Sequence, residues 1–244
     1  MWKTFYGRCI YKSSKGVQVF QNFLFRWLKF NSHALQTLLN RYYPYRPGLY
    51  YISLLTLFVR MNPTSCCMFG LGGAGAAHAL YPYRKNLKLT VVEYDSDIID
   101  IAQRFFMTNR LTNMEIIHQD AQIFAKQTDR CFQHLLVDLF TDEIFPAHCN
   151  TEEFFNHCKR ILLPEGILAV NLANRNEQWP IFQLIKKSFA NATIAVPVKK
   201  SANIIIFATK NESVNTLIDL LKQHKSLKRL FWDTEWGCIA EIKD

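Results

Sequence analysis

Paired cysteines are missing from this chain. Its seven cysteines stand at Cys9, Cys66, Cys67, Cys131, Cys149, Cys158 and Cys238, with no C-x-x-C spacing among them. Neither a zinc site nor a disulfide framework is suggested by that scatter. Most of the seven lie in apolar stretches, where free cysteine behaves as a small hydrophobe, and a reducing cytoplasm is the expected setting. Long apolar runs are missing as well. The longest, Leu49–Val59, is about half of the ~20 residues that span a bilayer, so a buried helix is expected and no membrane partner. The opening stretch MWKTFYGRCIYKSSKG has neither the continuous apolar core nor the small-residue cleavage site of a signal peptide. Low-complexity tracts and clear internal repeats are absent.

A dense basic tract is missing too, although Lys and Arg outnumber Asp and Glu by 29 to 20 for a net charge of +9. The basic residues are spread over Arg41, Arg46, Arg60, Arg84, Lys85, Lys199 and Lys200, and the run LKQHKSLKR is expected on the solvated face of a C-terminal helix. Without a concentrated basic face and interleaved exposed aromatics, a nucleic-acid partner is not indicated. His118, His134 and His148 lack paired ligand spacing, so no metal is expected.

What is present is a packed α/β composition. In 244 residues, 49% are apolar and 20% charged, enough for one sizeable domain with a small appendage. Residues 1–48 read as a small N-terminal β region, with VQVF and FLFRWLKF as strands about a Gln21-Asn22 turn. Residues 49–244 read as the main domain. A helix over Ser53–Met61, stopped by Pro63, leads into strand–helix alternation. SCCMFGL, LKLTVVEY, MEIIHQD, FQHLLVDLF and GILAVNL are the expected strands. Between them, AGAAHAL starts a short helix, Asp97–Met107 shows a helical apolar face, and TEEFFNHCKRIL carries a Thr151 cap with glutamates in its first turn. A helix over Gln178–Phe189 precedes two closing strands, TIAVPV and NIIIFAT, expected as an antiparallel hairpin. Continuous apolar strands alternating with helices imply a mostly parallel, seven-stranded sheet covered on both faces.

The turn Gly70-Leu71-Gly72-Gly73-Ala74-Gly75 contains G-x-G-x-x-G between a strand and a helix. Such a turn lets a ligand approach the backbone at the positive end of a helix. Glu93 ends the next strand, where a carboxylate accepts hydrogen bonds from both ribose hydroxyls. Asp120-Ala121 end the third strand, where an acid meets an adenine amino group, and Asp138 ends the fourth, beside the ligand crevice. This order looks like the class I transferases that use S-adenosylmethionine (SAM), with their Rossmann-like fold.

From about Val17 to Thr209 the chain resembles the spermidine synthase family and its spermidine synthase-like relatives, aminopropyltransferases that use decarboxylated SAM. The supporting pieces come in order: N-terminal strands before Gln36-Thr37, a tyrosine-bearing helix at Tyr50-Tyr51, the glycine turn, VVEYD, QDAQIF, and VDLFTDEIFPAHCNTEEFFNHCKRILLPEGILAV. The resemblance implies that Gly70, Gly72 and Gly73 lie against the aminopropyl or aminoacyl end of the donor and that Gln36 touches its sulfonium side. It implies Glu93 on the ribose and Asp120 with Ala121 at the adenine. Asp138, the first aspartate of the family's D-x-x-D, is implied as the base that deprotonates the attacking amine, with Tyr51 and Asp142 in the acceptor site. A small amine such as putrescine is the implied acceptor and a homodimer the implied assembly. Phe140 and Phe145 flank the expected pocket.

The sequence also departs from the family's pattern. Gly73 replaces the aspartate of G-G-G-D-G-G, Tyr51 is followed by Ile52 where Y-H-E has histidine, and the second acid of D-x-x-D falls one residue late at Asp142. Each departure removes or displaces a group that recognises a cation. Three readings follow: aminopropyl transfer to an amine, methyl transfer from intact SAM to an unidentified acceptor, and a binding module without turnover.

Overall fold

The computed structural model describes residues 2–30, 35–140 and 144–243. The N-terminal sheet is antiparallel, in the order β1 (Arg8–Lys12), β2 (Gln18–Gln21), β3 (Phe25–Lys29) and β4 (Leu35–Asn40). The outer two strands were not expected as strands, and the β2–β3 turn is longer than Gln21-Asn22. Asn22 Oδ1 accepts from the amides of Leu24 and Phe25 at 3.0 and 2.7 Å, which makes a side-chain-built turn.

Two short helices follow, α1 (Tyr50–Leu55) and α2 (Leu57–Met61), where one helix over Ser53–Met61 was expected. The break falls at Thr56, whose hydroxyl donates back to Ile52 O at 2.7 Å, a bond that competes with helix continuation. The alternation then runs β5 (Ser65–Phe69), α3 (Gly75–Leu80), β6 (Lys88–Glu93), α4 (Ser96–Phe105), β7 (Met114–His118), α5 (Ala121–Gln127), β8 (Phe132–Val137), α6 (Glu152–Arg160), β9 (Leu162–Leu172), α7 (Arg175–Ser188), β10 (Thr193–Pro197), β11 (Ile204–Thr209), α8 (Val214–Gln223), β12 (Leu227–Asp233) and β13 (Gly237–Ile242). Asp95, Asp120 and Thr151 cap α4, α5 and α6 with their side chains.

The main sheet has the order β12-β13-β10-β11-β9-β8-β5-β6-β7. β5 is an inner strand, third from the β7 edge, and pairs in parallel with β6 and β8, so the strand order reverses beside it. β10 and β11 form the expected antiparallel pair. Among the described residues the sheet has nine strands rather than seven, because the LKQHKSLKR run is helical only as far as Gln223. Lys225 adopts a left-handed conformation, and the chain turns into the β12–β13 hairpin, which joins the sheet through parallel pairing of β13 with β10.

Both faces of the sheet are covered. Ile52, Leu55, Ala76, Leu80, Leu217 and Leu221 from α1, α3 and α8 pack on one side. Phe124, Phe154, Phe155, Ile181 and Phe182 from α5, α6 and α7 pack on the other. The small sheet joins the main body through Val17, Val19, Leu28 and Leu39 against Ile98, Ile101 and Phe106. That contact sets β4 beside the glycine turn.

Candidate active site

Parallel registry brings the ends of four strands level: Phe69 lies opposite both Val92 and Val137, and Glu93 opposite His118. The residues that leave these strands therefore gather at one edge, as expected at a topological switch point. A cavity of about 740 Å³ opens there. Gln36, Tyr51, Gly70, Gly72, Glu93, Asp120, Ala121 and Asp138 all line it, although they are drawn from six separate parts of the chain.

The glycine turn is held on three sides. The Gly70 amide donates to Val92 O at 2.9 Å, and its φ of +93° is one that a residue with a side chain rarely adopts. A Cβ at that position would sit 2.3 Å from the backbone oxygen of Asp138. Glu93 is buried, and its two oxygens accept from the amides of Leu71 at 2.9 Å and Asp95 at 3.0 Å. Burial raises its pKa, and these backbone amides pull it back. The carboxylate keeps unused acceptor positions toward the cavity.

Asp120 is built in the same manner. Its Oδ1 accepts from the amides of Gln122 and Ile123 at 2.8 and 3.1 Å, and its Oδ2 meets His148 Nε2 at 2.9 Å. His148, considered in the sequence only as a metal ligand and set aside, lies on the cavity wall in the run 144–149. His118 and His134 are spent on backbone carbonyls of Tyr94 and Asn62. Among the described residues no group of three or more His, Cys, Asp and Glu converges.

Asp138 is anchored differently. Tyr51 donates its hydroxyl to Oδ2 at 3.0 Å and Asn171 donates Nδ2 to Oδ1 at 2.8 Å. Burial pushes this carboxyl above the ordinary aspartate value, and the Asn171 and Tyr51 hydrogen bonds hold it down in part. The Tyr51 phenol is raised well above its usual range by burial first and by the Asp138 charge second. A partly desolvated carboxylate with two neutral donors and two free acceptor positions is suited to anchoring and deprotonating an amine.

One expected residue lies elsewhere. Gly73 is buried behind the cavity wall, and its amide donates to Thr37 Oγ1 at 2.8 Å. A Cβ there would stand 2.7 Å from Thr37 Cγ2 and 3.0 Å from Phe106 Cδ1, so this glycine serves close packing of β4 on the turn. Asp142 and Glu143 lie outside the described residues. Phe140 and Phe145 both line the cavity, the latter fully buried. The sequence reading gave no site role to Thr37, Lys15, Asn171 or His148. Lys15 sits at the mouth, paired with Asp97 at 2.9 Å and Asp95 at 3.5 Å. None of the four carries a local spacing signal, since each reaches the site only through tertiary pairing.

Comparison with known proteins gives a consistent picture. The family model described as the spermine/spermidine synthase domain matches residues 51–217. A polyamine aminopropyltransferase of Vibrio vulnificus is 28% identical over 133 residues, covering 53% of this chain and 43% of that protein. One from Neisseria meningitidis serogroup A is 25% identical over 203 residues, covering 81% and 77%. The chain thus spans less than half the length of the Vibrio relative and about three quarters of the Neisseria one. Among solved structures, spermidine synthase from Thermotoga maritima superimposes with a TM-score of 0.65 at 18% identity, covering 84% of this chain and 74% of that one.

Proposed function

The chain belongs to the spermine/spermidine synthase family, and from that membership we propose that it is a transferase that moves an aminopropyl group from decarboxylated SAM to a small amine such as putrescine. The observation that carries the reading is Asp138, oriented by Tyr51 and Asn171 in the same cavity as Glu93 and Asp120. Relatives named polyamine aminopropyltransferases support the reaction class.

On this reading Glu93 accepts from the ribose hydroxyls and Asp120 from the adenine amino group. Gln36 and the turn at Gly70 and Gly72 border the donor's side chain. The acceptor arrives as an ammonium and gives a proton to Asp138. Its nitrogen lone pair then attacks the methylene carbon bonded to sulfur, on the side opposite the sulfonium. A C–N bond forms, the C–S bond breaks, and sulfur keeps the electron pair as the neutral thioether of methylthioadenosine. Besides moving that proton, the protein lines up the two reactants, which alone can supply a large part of the barrier reduction. The raised pKa of Asp138 improves it as a base, because a more basic carboxylate takes a proton from an ammonium more readily.

The remaining features of the reading are a homodimer in the cytoplasm. Exposed aromatics along the N-terminal region, including Phe23 and Tyr42 with ring centroids 5.8 Å apart, favour self-association. Free thiols at all seven cysteines suit a reducing compartment. Sedimentation of the purified protein at micromolar concentration tests the dimer.

Methyl transfer from intact SAM is the second reading, and Gly73 favours it. With Thr37 and Phe106 filling the adjacent space, no acid is available there for an aminopropyl ammonium. Calorimetric titration with decarboxylated SAM and with SAM separates the two. Preference for the decarboxylated donor, with amine-dependent release of methylthioadenosine, supports aminopropyl transfer. Preference for SAM with no such release overturns it.

A further inference from the structure

We propose that Asn171 is a positioning residue for the transfer: its side-chain amide aims Asp138 and keeps it an acceptor, and Asn203 holds that amide the right way round. The inference rests on the reading of Asp138 as the base. β8 and β9 pair in parallel with Val137 opposite Val170, which sets Asn171 beside Asp138. Asn171 is 1% exposed, a burial at which an amide needs all its hydrogen-bonding ends satisfied.

The hydrogen bonds run in one direction, from Asn203 through Asn171 to Asp138. The Ser201 hydroxyl meets Asn203 Oδ1, and the Asn203 amide nitrogen Nδ2 donates to Asn171 Oδ1 at 2.8 Å. Asn171 has one accepting and one donating end. With the oxygen engaged by Asn203, the NH2 is the end left to face Asp138 Oδ1, at 2.8 Å. Rotating Asn171 by half a turn would set oxygen against carboxylate oxygen and NH2 against NH2. The network therefore favours an ionised Asp138 that accepts at Oδ1 from Asn171 and at Oδ2 from Tyr51.

Neutrality of these partners matters for the chemistry. A lysine or arginine at position 171 would hold the carboxylate in place, yet it would lower its basicity and repel an incoming ammonium. Two neutral donors offset part of the burial cost and leave one acceptor position on each oxygen. Facing Asp138 from α1 is the titratable Tyr51, from β9 the neutral Asn171, and on the glycine turn the Gly70 backbone. Asn203, at the entry to β11, stands one step further back.

The test uses Asn171→Leu, Asn171→Asp and Asn203→Ala in the full chain. For Asn171→Leu, kcat for methylthioadenosine release should fall by roughly 10–100-fold, the loss expected for one hydrogen bond to a charged group. Donor KM should stay within about twofold. The acid limb of the kcat–pH profile should move up by about one unit, because one donor to the ionised form is gone. Asn171→Asp, which forces two carboxyls to share a proton, should move that limb further. Asn203→Ala should give the same pattern at a smaller scale, roughly threefold to tenfold, and it stands in if the buried substitutions fail to fold. Unchanged kcat and an unmoved acid limb in Asn203→Ala and Asn171→Leu would overturn the proposal. If no variant and no parent protein turns over, the transferase reading fails by itself. The network is then read from the NMR titration of the Asp138 carboxyl carbon. A higher midpoint in Asn171→Leu upholds it, and an unmoved midpoint sinks it.

Discussion

The two ends of the cavity hold their acids by different means. At the end proposed for the nucleoside, Glu93 rests on the amides of Leu71 and Asp95, and Asp120 on those of Gln122 and Ile123. Three of those four contacts lie within three residues in sequence, and the fourth crosses a single βαβ step. At the end proposed for the acceptor, the Asp138 carboxyl is held by side chains, from Tyr51 and Asn171, which approach from α1 and β9. Backbone anchors survive substitution of their neighbours, whereas side-chain anchors can be lost one mutation at a time. Of the departures from the family pattern, Gly73 packs against Thr37 beside the glycine turn, and Ile52 directly follows Tyr51, one of the two side chains that hold Asp138.

The sharpest way to separate the two ends is Asp138→Asn. Turnover should drop by about 10²–10⁴-fold, the range for loss of a positioned acid or base. Donor affinity should stay nearly intact by calorimetry. The same variant tests a stability effect. Burial raises the Asp138 pKa above its unfolded value, so its contribution is present below the unfolded pKa and lost as pH rises through the folded one. His134, lowered to about 4 by burial, works the other way: its contribution is present above the ordinary value of 6.5 and lost as pH falls toward 4. Urea titrations from pH 4 to 8 should show Asp138→Asn gaining on the parent protein toward the alkaline side. The opposite trend would mean that Asp138 is not desolvated.

Next in size, Glu93→Gln should weaken donor binding by about 10–100-fold, since one of its two anchoring amides loses its acceptor and the ribose loses a charged partner. Its kcat at saturating donor should change much less. An equal loss in kcat would erase the distinction between the two ends.

Gly73→Asp restores the acid found in the family's loop, and the crowding by Thr37 and Phe106 predicts a loss of about 2 kcal/mol in unfolding free energy. Thr37→Ser removes the nearest methyl while keeping the hydroxyl that accepts from the Gly73 amide, so the double variant should recover part of that loss. Strict additivity of the two substitutions would show that they do not meet. The smallest effect is expected from His148→Ala. Its pairing with Asp120 is half exposed, so donor affinity should shift by no more than about fivefold.

Much of this molecule was legible in order along the chain. The Gly70 turn, Glu93 and Asp120 are tied to strand ends and helix starts, and local spacing identifies them. The N-terminal hairpin was legible as alternating runs about a turn, and the closing antiparallel pair as continuous apolar runs about a short polar turn. The helix before β5 was read as one piece because the Thr56 hydroxyl bond to Ile52 leaves no mark in apolar periodicity. The β12–β13 hairpin was hidden because its basic residues also fit the solvated face of a helix.

The sequence by itself determined the class of fold and the strand-end positions of Glu93, Asp120 and Asp138, because apolar runs, turn residues and helix starts mark those positions locally. Only the tertiary structure decided that Thr37 fills the space beside Gly73 and that Asn171, backed by Asn203, holds Asp138 opposite Tyr51. Those contacts join residues 32 to 87 positions apart. At such separations no periodicity or spacing along the chain carries the information. It enters only when sheet registry and the docking of β4 and α1 bring the side chains together.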